Sequence, residues 1–297
     1  MRETQDRDIT DPDGSPEAIV ADIENRCVRL STSHANCRIV WRVWGRGPTL
    51  LLLHGNYGSW THWIRNVLPL SRRFRVIVPD MPGFGDSSPP PEPYDAQSIA
   101  ELLRAGLFEL GEGAGEVSIV GFSFGTTIAG ALAASGTVRP RRLVIISSGS
   151  LGVRRQQIPP FVSWRRQPTA ELQQEAHRRN LAMMMISNPD RIDPLAVHLQ
   201  AQNTRRRSIQ AERVTAGNPL REMLFRIDAP IAGIWARNDA TIGPYMQDRI
   251  ELLADAQPGA RAVVIPDAGH WVQYEAAEPF NRVLTDLLGD KPGPDTD

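Results

Sequence analysis

Lysine is nearly absent from this chain. Lys291 is the only one in 297 residues, so arginine supplies almost all the positive charge. That bias points to a GC-rich bacterial genome and leaves mechanism open. Cysteine is scarce too. Cys27 and Cys37 are too few for a disulfide framework, and are expected as free thiols of a reducing cytoplasm. No apolar run approaches the ~18 residues that a membrane-spanning helix needs. The first stretch, acidic and rich in proline, lacks the charged-then-apolar plan of a signal peptide. Residues 1–24 are therefore expected as a disordered leader, 291–297 as a disordered tail, and the location as cytoplasmic. Neither Cys/His spacing nor a carboxylate cluster suggests a metal. No cofactor motif, internal repeat or nucleic-acid module is recognisable, which leaves a small molecule as the expected partner and homo-oligomerisation open.

What is present is ordinary for a soluble globular protein, with 41% apolar and 23% charged residues. The charge is uneven. Between Leu151 and Arg226 there are 13 arginines against 6 acidic residues, a balance of +7; the net charge of −1 leaves −8 for the remainder. Cys27–Ser31 and Cys37–Trp44 read as a hairpin. Thr49–Leu53, Val76–Val78, Val117–Val120, Leu143–Ile146, Ile231–Trp235 and Ala262–Ile265 are short apolar runs suited to strands buried on both faces. Ser59–Leu70, Ala96–Leu110, Gly125–Ala134, Pro244–Leu253 and Glu278–Leu288 read as helices between them. The alternation predicts an α/β fold: a mostly parallel, eight-stranded sheet flanked by helices. It is interrupted over 149–226, where Thr169–Ile186 and Asp193–Val214 read as helices and no strand is convincing. Core segments 25–148 and 227–290, with a helical insertion between them, are the expected division.

The stretch Val117–Ala134, VSIVGFSFGTTIAGALAA, places Ser123 between Gly121 and Gly125 where a strand becomes a helix. A side chain at the carboxyl end of a parallel strand reaches a ligand only if the backbone turns sharply. Glycines on either side remove the Cβ atoms that would collide. This is the nucleophile elbow G-x-S-x-G. A serine hydroxyl is a weak nucleophile and needs a base, which itself needs orienting. Downstream, Asp239 follows the strand in IAGIWARND and His270 follows the last strand in VVIPDAGH. His270 is thus the expected base and Asp239 the acid that orients it. An oxyanion requires two fixed donors. The N–H of Phe124 is one candidate, and the N–H of Asn56, in the HGNYGSW turn where Gly55 permits close approach, is the other. His54 of that turn reads as structural. Tyr57, Met184 and Trp271 adjoin these loops and are candidates for the substrate pocket, although packing would explain them equally.

With Leu53-His54-Gly55, PDMPGFGDS, GFSFG, ARND and DAGHW in this order, the chain from about Arg26 to Leu288 resembles the α/β-hydrolase superfamily. The resemblance implies that 149–226 is a cap roofing the pocket. Members that open epoxides or remove halides use an aspartate where this chain has Ser123, so esters, lactones, thioesters or activated C–C bonds are the implied substrates. GHWVQYEAAEPFN is similar to a segment of hydrolases that cleave vinylogous 1,5-diketones from catechol ring-opening. That branch uses a cation to hold the substrate carboxylate; Arg205, Arg206 and Arg207 are candidates, with a solvated helix face as the plain alternative. The chain departs from that branch in having HGNYGS in place of HG-x-GPG, and Phe122 in place of Asn. On these departures a carboxylic-ester hydrolase is the main expectation, C–C bond hydrolysis the alternative, and a non-catalytic small-molecule receptor the remaining one.

Overall fold

A computed structural model describes residues 14–113, 115–148 and 150–289. Eight strands form one sheet: β1 Val28–His34, β2 Cys37–Trp44, β3 Thr49–Leu53, β4 Arg75–Asp80, β5 Glu116–Phe122, β6 Arg139–Ile146, β7 Ile231–Ala236 and β8 Arg261–Ile265. Their spatial order is β1-β2-β4-β3-β5-β6-β7-β8. β1–β2 and β2–β4 pair antiparallel, and every other pair is parallel. The hairpin turn at Ala35–Asn36 has positive φ at both residues, 49° and 61°, which matches the right-handed twist of the flanking strands.

The apolar runs behave as runs buried on both faces must. Leu51 and Leu53 join one core with Ile119, Leu143 and Ile145, while Leu50 and Leu52 join the other with Val120, Val144 and Ile146. Helices α3 (Ala96–Glu109) and α4 (Phe124–Ala134) cover the first face, and α11 (Ala277–Leu288) covers the second. The remaining helices in chain order are α1 Pro16–Asn25, α2 Val67–Ser71, α5 Ala170–Asn180, α6 Pro194–Arg205, α7 Ala211–Thr215, α8 Pro219–Leu224, α9 Met246–Ala256 and α10 Val272–Glu275. Cys37 is buried in the first core and Cys27 packs against the second, so the two free thiols lie on opposite faces of the sheet.

Three local expectations change. Residues 16–24, expected without structure, form α1. Ser15 caps it, Pro16 sits at its start, and Ile23 anchors it in the core at 2% exposure, with its carbonyl accepting from Trp44 Nε1. The single helix expected over Ser59–Leu70 is a 3₁₀ turn, Trp60–Trp63, followed by α2. Trp60 N–H is held by Asp80 Oδ1, and Asn66 donates to Gln273 O and Asn281 Oδ1, which fixes the break between them. The helix expected over Asp193–Val214 stops at Arg205, because Ser208 N–H bonds Gly83 O and Ile209 fills the space beside Gly83. The disorder expected at residues 1–13 and 291–297 lies outside the described residues.

Between β6 and β7 the described residues carry helices α5–α8 and no strand. Residues 181–185, LAMMM, continue α5 as a π-helical turn. Met183 and Met184 are half-buried there, and Met185 is buried. Among the described residues, no helix is long and apolar enough to cross a membrane.

Candidate active site

β5 delivers Ser123 at its carboxyl end with φ 51° and ψ −115°, a strained conformation for a residue with a Cβ. The strain is held by packing on both sides. A Cβ on Gly121 would lie 2.5 Å from Gly125 O, and one on Gly125 would lie 2.5 Å from Leu53 O and His54 O. Both positions therefore require glycine. Ser123 N–H is tied to Ile146 O at 2.9 Å, so the adjacent strand β6 fixes the turn from the other side.

β7 and β8 bring in the two distant partners. His270 Nε2 lies 3.0 Å from Ser123 Oγ, and His270 Nδ1 lies 2.9 Å from Asp239 Oδ2. His270 and Asp239 are each 2% exposed. Thr241, which sequence reading missed, supplies Asp239 Oδ1 with two donors, its N–H at 2.8 Å and its hydroxyl at 2.7 Å. Burial alone would raise the Asp239 pKa; the neighbouring His270 and the Thr241 donors outweigh it and hold the carboxyl below its ordinary value. Asp248, which lies in the helix after β7, is engaged elsewhere and pairs with Arg154 at 2.7 Å.

The turn after β3 lies against the serine. A Cβ on Gly55 would lie 3.3 Å from Ser123 Cβ and 3.0 Å from the Phe122 ring. The N–H groups of Asn56 and Phe124 have no protein acceptor among the described residues. Asn56 Oδ1 accepts from Tyr57 N–H at 2.9 Å. The arrangement can therefore move a proton from a hydroxyl to an imidazole backed by a carboxylate.

The three pocket candidates separate. Tyr57 is half-buried, and the Arg207 guanidinium lies over its ring at 4.3 Å. Met184 is half-buried and packs against the second core. Trp271 does not face an accessible pocket: it is fully buried, stacks on Tyr274 at 4.2 Å, and donates from Nε1 to His62 O. An indole between two loops becomes packing when its N–H finds a partner inside. The three arginines also part company. Arg205 lies over Trp164, Arg206 pairs with Asp86, and Arg207 pairs with Glu212, whose other oxygen accepts from Asn56 Nδ2 at 3.4 Å. Of the three, Arg207 is the one beside the turn that touches Ser123.

Glu275 is a second residue that the sequence did not disclose. Its carboxylate, 6% exposed, accepts from Gly269 N–H next to His270 and from Ser187 N–H, Ser187 Oγ and Asn188 N–H of the helical segment. A polar recess of about 620 Å³ on the neighbouring side, lined by Arg42, Trp60, Asp80, Asp86, His198 and Asn203 among others, includes neither Ser123 nor His270. Among the described residues there is no group of His, Cys, Asp and Glu that could hold a metal ion.

Residues 50–283 match the model of the alpha/beta hydrolase family, and the chain belongs to that family. It is a hydrolase. The chain is 27% identical over 286 residues to a 2-hydroxy-6-oxononadienedioate/2-hydroxy-6-oxononatrienedioate hydrolase of Pseudomonas putida, covering 89% of this chain and 96% of that protein. Among solved structures it is similar to a putative lipase of Acinetobacter baumannii (TM-score 0.73, 21% identity, 93% of this chain and 96% of that one). It is also similar to a meta-cleavage product hydrolase of Pseudomonas fluorescens (TM-score 0.66, 21% identity, 87% and 96%).

Proposed function

We propose that this hydrolase acts through Ser123 as nucleophile, His270 as general base and acid, and Asp239 as the group that orients and stabilises the imidazolium. The observation that carries this reading is the unbroken chain of hydrogen bonds from Ser123 Oγ through His270 to Asp239, at 3.0 and 2.9 Å. His270 takes the serine proton as Oγ attacks a substrate carbonyl, and the N–H groups of Asn56 and Phe124 receive the oxyanion. Collapse expels the leaving group, which His270 protonates, and water repeats the cycle on the acyl-enzyme.

For the bond, we favour the C–C bond of a vinylogous 1,5-diketone acid from aromatic ring-opening over the ester expected from the sequence departures. The curated relative, similar over most of both chains, bears the name of a dienedioate hydrolase. Such a leaving group is a carbanion delocalised into the conjugated system, so it needs no oxygen at the scissile bond. A carboxylate on it calls for a cation near the turn, and Arg207 beside Tyr57 supplies one. The ester reading keeps one observation in its favour. Phe122, fully buried against the His270 ring at 5.2 Å, gives the substrate no polar group where the C–C branch has asparagine. The segment 149–226 acts as the cap over this pocket, and the protein works in the cytoplasm.

Two assays test this. Ser123→Ala should lower kcat by about 10⁶-fold and leave thermal unfolding nearly unchanged; comparable turnover in that variant refutes the nucleophile. A coloured 2-hydroxy-6-oxo-dienoate should be bleached with a higher kcat/KM than p-nitrophenyl esters are cleaved. The reverse ranking returns the ester reading.

A further inference from the structure

Two buried histidines bracket Gly55, and neither belongs to the chemistry just described. His54 Nδ1 is 2.8 Å from Gly55 O, and its Nε2 accepts from Met81 N–H at 3.0 Å. A backbone N–H can only donate, so Nε2 is the bare nitrogen and Nδ1 carries the hydrogen that reaches Gly55 O. His62 is the mirror case. Its Nδ1 accepts from Gly55 N–H at 3.2 Å, which leaves the hydrogen on Nε2. Both rings are essentially inaccessible, His54 at 0% and His62 at 1% exposure. Burial, opposed in part by the Gly55 carbonyl, lowers the His54 pKa to about 4; burial and the neighbouring His54 and His270 lower that of His62. Both are therefore neutral at pH 7 and have one hydrogen each to place.

The carbonyl that His54 holds is half of the Gly55–Asn56 peptide, and the other half is the N–H of Asn56. A trans peptide is planar, so fixing its C=O fixes its N–H in the opposite direction. Donation to the carbonyl also polarises the amide and strengthens the N–H as a donor. The preceding peptide is pinned at Gly55 N–H by His62, whose ring is packed between Phe122 and Trp271 at centroid distances of 5.5 and 5.1 Å. Gly58 leaves room for that ring, since a Cβ there would lie 2.4 Å from His62.

We propose that His54 and His62 are positioning residues of opposite tautomer which clamp the two peptide groups of Gly55, and so aim the Asn56 N–H at the developing oxyanion. This rests on the reading of Asn56 and Ser123 given above. The clamp's effect belongs in the transition state: it should alter the reaction of the serine more than the binding of the ground state.

The test has two arms. In the unmodified enzyme at pH 7, ¹⁵N NMR of the imidazoles should show a hydrogen on Nδ1 of His54 and on Nε2 of His62. The same tautomer in both, or a charged ring at either, overturns the clamp. In the second arm, Ser123 labelling by a fluorophosphonate is timed for the wild type, His54→Leu and His54→Asn. Because the lost alignment affects one oxyanion donor, His54→Leu should label on the order of 10²-fold more slowly, with reversible probe affinity nearly unchanged. His54→Asn, whose amide nitrogen replaces Nδ1 as donor, should recover most of the rate. Equal labelling of the wild type and His54→Leu, or loss carried entirely by probe affinity, overturns the proposal. If His54→Leu does not fold, the asparagine variant and the NMR arm still decide it. A wild type that does not label at all refutes the nucleophile instead, so the two failures are distinct.

Discussion

The loops at the carboxyl ends of the strands and the helical segment between β6 and β7 are held by different forces. Ser123, Asp239 and His270 each follow a strand whose last residue is fully or almost fully buried, and their geometry is set by sheet pairing and glycine-only contacts. The helical segment carries the arginine excess: it packs apolar residues such as Leu220 and Leu224 into the first core and Leu181 and Leu199 into the second, and adds polar ties such as Arg206–Asp86, Arg154–Asp248 and the Glu275 cluster. A buried sheet tolerates little displacement, whereas partly exposed ion pairs are individually weak and exchangeable.

The sharpest way to break this contrast is at the acid. Asp239→Asn should lower kcat by about 10⁴-fold with the fold intact, since Thr241 can still donate to the retained carbonyl oxygen. A loss below tenfold, measured with any good substrate, would mean that the imidazole is oriented without it.

Next comes the charge buried under the core loops. Arg42, its side chain 2% exposed, bonds Glu24 at 2.6 Å, Asp80 at 2.9 Å and Asp86 at 2.7 Å. Arg42→Met strands Asp80 without its cation and should cost about 3–5 kcal/mol in urea unfolding. A neutral result would show that the Asp80 carboxylate is satisfied by its backbone donors alone.

Acid should then act on both regions in two separate windows. His54 and His177 are lowered to about 4, and His62 is lowered as well; burial is the main cause for all three, joined at His177 by Arg205 and Arg165. Their folded pKa lies below the unfolded value of about 6.5, so the unfolded chain binds the extra protons. Stability is full above about pH 6.5 and falls as pH drops toward about 4. Asp86 acts in the same direction at lower pH. Burial would raise its pKa, but Arg42, Arg29 and Arg206 lower it, so its contribution is lost only below about pH 4, as it protonates. Urea midpoints should therefore decline between pH 7 and 5. His177→Phe, in the helical segment, should make the decline shallower by about one proton. A flat profile over that range contradicts the neutral buried histidines.

The smallest effect belongs to the surface tie. Arg206, its side chain 53% exposed, pairs with Asp86 at 3.0 Å. Arg206→Ala should cost about 0.5 kcal/mol or less, shrinking further at high salt. A loss above 2 kcal/mol would place this arginine among the rigid elements instead.

Much of the fold was legible because its signals are local. The apolar runs at 49–53 and 231–235 match β3 and most of β7, and the elbow glycines report a steric demand within five residues. Breaks imposed from far away were not legible. The interruption near Asn66 depends on Gln273 and Asn281, and the end of α6 on Gly83, so residue periodicity could not locate them. Thr241, two residues after Asp239, was a local signal that sequence reading did not use. Glu275 gave no signal of its own, because its donors at Ser187 and Asn188 are brought near only by folding. Whether Trp271 was pocket or packing stayed open for the same reason: its indole partner, the His62 carbonyl, lies 209 positions away.

The chain's own order of residues determined that a strand must turn into a helix at Ser123, that aspartate and histidine follow later strand ends, and that the sheet is mostly parallel and buried. Steric exclusion and period-two burial act between near neighbours, and so they can be read along a sequence. Tertiary structure alone decided which arginine stands beside the turn after β3, which tautomers the two histidines around Gly55 adopt, and which indole is packing. Those are decided by hydrogen bonds and contacts across distant segments, whose partners have no fixed separation along the chain.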